Sequence, residues 1–162
     1  MNNKGVTLVE LIVSFSLTTV IGLFLMYVVL FFKDNYVITT IKNNIVLKQS
    51  TIVDRINKTL NSNKIVEIND SCGEYCLELR YDNNIEIINF DVNSNKIMIG
   101  DFTTNLPNGT KFSNVTFNKN EINNKGILVI KADLVNSTIT NEEFNINVIY
   151  QYTPEVTVNL NS

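Results

Sequence analysis

The chain has 162 residues, room for one domain of ordinary size. Its net charge is −3 and it carries no long run of Lys or Arg, which argues against a sequence-independent grip on nucleic acid. His is absent, and with it the commonest general base and the commonest metal ligand, so no catalytic pair, metal site or cofactor site is expected and the chain does not read as an enzyme.

The first element is apolar. Residues 6–32 contain one charge, Glu10, and follow a Lys4-Gly5 pair. A bilayer core needs about 20 apolar residues of helix, which this run exceeds. A secretory signal would be shorter and would end in a small-residue cleavage site. The residues that follow, "KDNYVITTIKNN", offer none, so the span is expected to be retained. Next, Ile38, Ile41, Ile45, Ile52, Ile56 and Leu60 fall at steps of three, four or seven, one stripe of a helix. Lys42, Asn43, Lys48, Gln49, Asp54 and Arg55 lie mainly off that stripe. With no Pro or Gly from Lys33 to Leu60, the pattern predicts one continuous helix over 6–60, about 80 Å long at the α-helical rise. An anchor alone does not require the amphipathic half; a domain packing on the stripe does. The balance of Lys4 and the amino terminus against Lys33, Lys42 and Lys48 leaves the membrane orientation open.

Beyond Leu60 the period changes from 3.6 to 2. "CLELRY" and "FNINVIYQY" alternate apolar with polar residues, as half-buried antiparallel strands do. Further strands are expected at 64–68, 85–91, 96–99, 112–117 and 126–132. Turn residues separate them at 82–84, 93–95, 106–109 and 123–126. Residues 136–143 read as a long exposed hairpin loop, with Glu142 and Glu143 as solvated charge. The fold class is therefore α+β: a long helix whose amphipathic half packs on a C-terminal antiparallel sheet. Cys72 and Cys76 cannot complete a four-ligand zinc site without carboxylates. They suit a disulfide in an extracytoplasmic compartment, with two free thiols as the alternative. The segment 91–96 opens like a calcium loop but lacks Gly at its sixth position and Glu at its twelfth, Phe102, so it reads as a hairpin turn. The triplets at Asn108, Asn114 and Asn136 match the glycosylation pattern, as chance allows in an Asn-rich chain.

The stretch Lys4-Gly5-Val6-Thr7-Leu8-Val9-Glu10, set directly before an apolar span, resembles the processing signature of type IV prepilins and pseudopilins. The resemblance is detailed over residues 1–32, general to about 60, and architectural beyond. It implies a leader, 1–5, cut after Gly5 by a membrane peptidase, and N-methylation of the new first residue, Val6. It implies a fibre-core segment at 6–32, an amphipathic half-helix at 33–60 and a β-rich extracytoplasmic part at 61–162. Glu10 matches the family carboxylate, which would neutralise a neighbour's N-terminus during assembly. The partners implied are other pilins or pseudopilins, the prepilin peptidase and, indirectly, a platform protein and an assembly ATPase. The location implied is the cytoplasmic membrane, then a surface fibre. Two departures stand out: Val6 replaces the usual Phe or Met, and no Pro precedes Pro107. A minor pilin or pseudopilin is the reading; the alternatives are a DNA-uptake or adhesion-binding subunit, or a plain single-span surface protein.

Overall fold

A computed structural model describes residues 7–122 and 125–153. The chain divides into two compact units, Met1–Thr40 and Ile41–Ser162. Helix α1 (Leu8–Leu60) runs without interruption through 53 residues and supplies elements to both. In the first unit it is the only described element. Of residues 7–40 all are exposed except Val28, which is half-buried. This helix is long and apolar enough to cross a membrane.

The second unit holds the rest of α1 and eight strands. β1 (Ile65–Asn69), β2 (Cys76–Tyr81), β3 (Ile85–Asp91), β4 (Lys96–Ile99) and β5 (Phe102–Asn105) form one sheet in sequence order. β6 (Thr110–Ile122), β7 (Lys125–Asn136) and β8 (Phe144–Tyr152) form a second. Every pairing is antiparallel. The α+β layering is thus as expected, with the strands divided between two sheets instead of one.

One core joins all three layers. Ile45, Ile52, Ile56 and Leu60 of α1 are fully buried against inward residues of both sheets, among them Leu79, Ile88, Ile97, Leu128, Ile130 and Ile146. Phe90 of β3 makes edge-on contacts with Phe112 and Phe117 of β6, with ring centroids 5.6 and 5.8 Å apart, and so binds one sheet to the other. Lys119 of β6 donates from Nζ to the Ile68 carbonyl of β1 at 3.1 Å. The helix end is tied down by Tyr81, whose buried hydroxyl donates to the Thr59 carbonyl at 2.7 Å.

Several expectations need correction. The helical stripe is buried only from Ile45 onward; Ile38 is exposed and Ile41 half-buried. In its seven-residue step from Ile45 to Ile52, the places facing the sheets belong to Lys48 and Gln49. Lys48 Nζ donates to Thr104 Oγ1 of β5 at 2.8 Å, and Gln49 Nε2 donates to the Asn145 carbonyl of β8 at 2.9 Å. Lys42 pairs with Glu142, so that carboxylate is not simply solvated. Arg55 stacks over the Phe102 ring, 5.6 Å from its centroid. The loop 136–143 is also not exposed throughout, since Asn136 and Ile139 are buried.

Strand β5 is an addition to the expected set. Its signal is the two-residue Gly100-Asp101 turn between paired Ile99 and Phe102, where Gly100 takes φ 53°. β6 outruns its expected segment because its ladder continues after the apolar alternation stops, to Ile122 opposite Lys125, and β7 extends mainly at its other end, to Asn136 opposite Thr110. Gly126 is required where it stands: a Cβ there would lie 2.3 Å from the Tyr152 ring.

Candidate functional site

The start of α1 is the place where sequence signature and geometry coincide. Gly5 and Val6 lie outside the described residues. Thr7 is the helix N-cap: its carbonyl accepts the first intrahelical bond, from Leu11 N at 3.1 Å. Glu10 stands three residues on, and the pair forms a reciprocal capping box. Thr7 N donates to Glu10 Oε2 at 2.9 Å and Thr7 Oγ1 donates to the same oxygen at 3.0 Å. Glu10 N in turn donates to Thr7 Oγ1 at 3.3 Å. The carboxylate therefore sits at the positive end of the helix dipole with two donors aimed at it. Both donors go to Oε2; among the described residues Oε1 accepts none. Thr7 is a capping residue not singled out from the sequence, although T-x-x-E before an apolar run is the signature of such a cap.

The Ser and Thr hydroxyls of residues 14–19 in the apolar half of α1 are bonded within the helix. Ser16, Thr18 and Thr19 donate their hydroxyls to the carbonyls of Ile12, Ser14 and Phe15, one turn back, at 2.8 to 2.9 Å, and Ser14 donates to Leu11 at 3.1 Å. A hydroxyl bonded this way can enter hydrocarbon without an orphaned donor. Glu10 is thus the one charged group among residues 7–32. Gly22 lies in the same stretch, and a Cβ placed there would meet nothing within 4 Å, so its smallness serves no contact among the described residues.

The remaining candidates lie in the second unit. Cys72 and Cys76 are joined by a disulfide, with Cα atoms 5.5 Å apart, and pin the turn between β1 and β2. Asp91 turns the β3–β4 hairpin: its Oδ1 accepts from Asn93 N at 3.1 Å and Ser94 N at 3.0 Å. The Ser94 hydroxyl and then the Ser94 amide hold its carboxyl below the usual range. Asn136 is buried, and its Nδ2 donates to Thr110 Oγ1 at 2.9 Å, so that nitrogen is not presented for glycosylation. Among the described residues there is no group of three or more His, Cys, Asp or Glu placed to hold a metal ion.

No protein-family model, no curated protein and no solved structure matches this chain.

Proposed function

We propose that this chain is a structural subunit, a minor pilin or pseudopilin, of a type IV pilus-like fibre. The observation that carries the reading is the placement of Lys4-Gly5 immediately before a helix capped at Thr7, whose apolar half is unburied and holds a single carboxylate. Cutting after Gly5 leaves one residue, Val6, ahead of the cap and creates a new ammonium there. The carboxylate of Glu10 then serves two partners. One oxygen stays on the Thr7 cap, and the other receives the ammonium of a neighbouring subunit. A charge paired in a medium of low dielectric costs much to expose alone, so this contact sets register between subunits.

Before assembly the apolar half resides in the cytoplasmic membrane with the globular part outside. Extraction into the fibre core exchanges lipid for neighbouring helices. Other pilins or pseudopilins are its direct partners, with a platform protein and an ATPase acting indirectly. In this role the protein is a substrate of a prepilin peptidase and not a catalyst.

Intact mass of the mature protein tests the reading. Loss of residues 1–5 with a modified Val6 is expected; an uncut N-terminus would overturn it and leave a plain single-span surface protein. Glu10→Ala should keep membrane levels while depleting the sheared fibre fraction; normal amounts in that fraction would refute the pairing role.

A further inference from the structure

The two sheets have four edges, and three of them are guarded. β1 carries a bulge between Ile65 and Glu67, and Lys119 reaches over to its Ile68 carbonyl. β5 is only four residues long and is touched by Lys48. β6 carries a bulge between Phe112 and Asn114 and places Lys111 and Lys119 along its length. These are the devices by which proteins keep sheet edges from pairing with other chains: bulges, short strands and lysines.

β8 has none of them. Its nine residues contain no charge and no Pro, and its ladder to β7 runs without a bulge from Phe144 to Tyr152. The direction of its free groups follows from two bonds. Ser113 of β6 donates to the Asp133 carbonyl at 3.2 Å, so Asp133 turns its backbone toward β6 and away from β8. Its β8 partner, Asn145, correspondingly turns outward, where Gln49 meets its carbonyl. By strand alternation Asn147, Ile149 and Gln151 also direct N–H and C=O away from β7. Among the described residues nothing pairs with these groups. Their side chains lie on the exposed face, Ile149 at 66% exposure.

We propose that β8 pairs antiparallel, edge to edge, with β8 of a second copy of this chain, centred on Ile149. The sequence of the strand is self-complementary in that register. Ile149 opposes Ile149, Asn147 opposes Gln151 on both sides of the axis, and no like charges meet. The ladder covers 147–151 and stops before Asn145, whose carbonyl is engaged by Gln49. The two three-stranded sheets then become one of six strands. Because the contact is two-fold it closes as a dimer and does not propagate. It is independent of the proposed fibre role, since it involves neither the N-terminus nor the apolar half of α1.

Cysteine cross-linking of the full-length protein in native membranes tests this. Cys72 and Cys76 are bonded to each other, so an introduced thiol acts alone. At a hydrogen-bonded antiparallel pair the Cα atoms lie about 5.5 Å apart, within disulfide reach. Ile149→Cys should give roughly tenfold more cross-linked dimer than Val135→Cys, an exposed position on the central strand β7. Asn147→Cys with Gln151→Cys should cross-link as a double variant, and Gln151→Cys alone should not. Adding Ile149→Lys to that double variant should abolish its dimer, because two ammonium groups would then meet at the axis. Cross-linking of Ile149→Cys no stronger than that of Val135→Cys would overturn the proposal, whether residues beyond Thr153 or a foreign strand occupied the edge. Cross-linking strongest at Gln151→Cys alone would overturn it through the register. Neither result depends on whether Gly5 is cut.

Discussion

Glu10 is the residue whose meaning depends most on its neighbours. In an apolar run a lone carboxylate reads as awaiting a partner, and its first partner is Thr7, one turn away in the same chain. Replacing Thr7 by Val removes the hydroxyl that accepts from Glu10 N and donates to Glu10 Oε2. Amide exchange at Glu10 should then quicken roughly fivefold, the loss typical of a cap, while Thr7→Ser should leave it unchanged. A second residue-scale device is the chain Lys119, Glu121, Tyr152. Tyr152 donates to Glu121 Oε1 at 2.6 Å, and Lys119 lies 3.0 Å from the same oxygen. The Tyr152 hydroxyl first, and then Lys119, hold the Glu121 carboxyl below its usual range. Burial first, and then Glu121, push the Tyr152 phenol up. A depressed carboxyl contributes stability that is present above its unfolded value, near pH 4, and is lost as pH falls through the folded one. The urea midpoint of the native protein should therefore fall below about pH 4 more steeply than that of Glu121→Gln. Equal slopes would show that the cluster adds nothing. Glu10 is legible from its charge alone. Thr7 is legible only as half of a motif, and Glu121 not at all, because its partner lies 31 residues away.

At the scale of elements, α1 serves two environments with one backbone. In its apolar half the Ser and Thr hydroxyls bond back to carbonyls of the same helix. Its second half is stable because Ile45, Ile52 and Ile56 are removed from water. Ile52→Ala should cost about 2–5 kcal/mol of unfolding free energy in chemical denaturation. Leu47→Ala, on the exposed side of the same helix, should stay within about 0.5 kcal/mol of the parent. The helical period locates this stripe but misplaces Lys48 and Gln49, since period identifies apolar positions and not polar ones that meet a sheet. Strand β8 is legible to its ends because its alternation is unbroken. β5 is not, because Phe102 is the one apolar residue in Phe102 to Asn105, so no alternation shows there.

At the scale of the whole molecule, each unit has its own reason to exist. The globular unit is held together by one core shared by α1 and both sheets, in which Phe90 reaches from the first sheet to two rings of the second. Phe90→Ala should cost about 3–5 kcal/mol, and the unit should still lose both sheets in one transition by circular dichroism and by exchange. Two separate transitions would mean that the sheets are independent domains. By itself the sequence determined that a long helix changes from all-round apolar to amphipathic and that antiparallel strands follow, because those properties are periodic and local. It also marked Glu10 and the cysteine pair. Only the tertiary structure decided that the strands divide five and three, that Lys42 finds Glu142, that Gln49 finds β8, and which sheet edge is left unguarded. Lys42 and Glu142 are 100 residues apart in the chain, and no repeat within either segment encodes the meeting. It follows from burying one stripe of helix against two sheets at once, which brings distant polar groups to a shared boundary where each must find a partner.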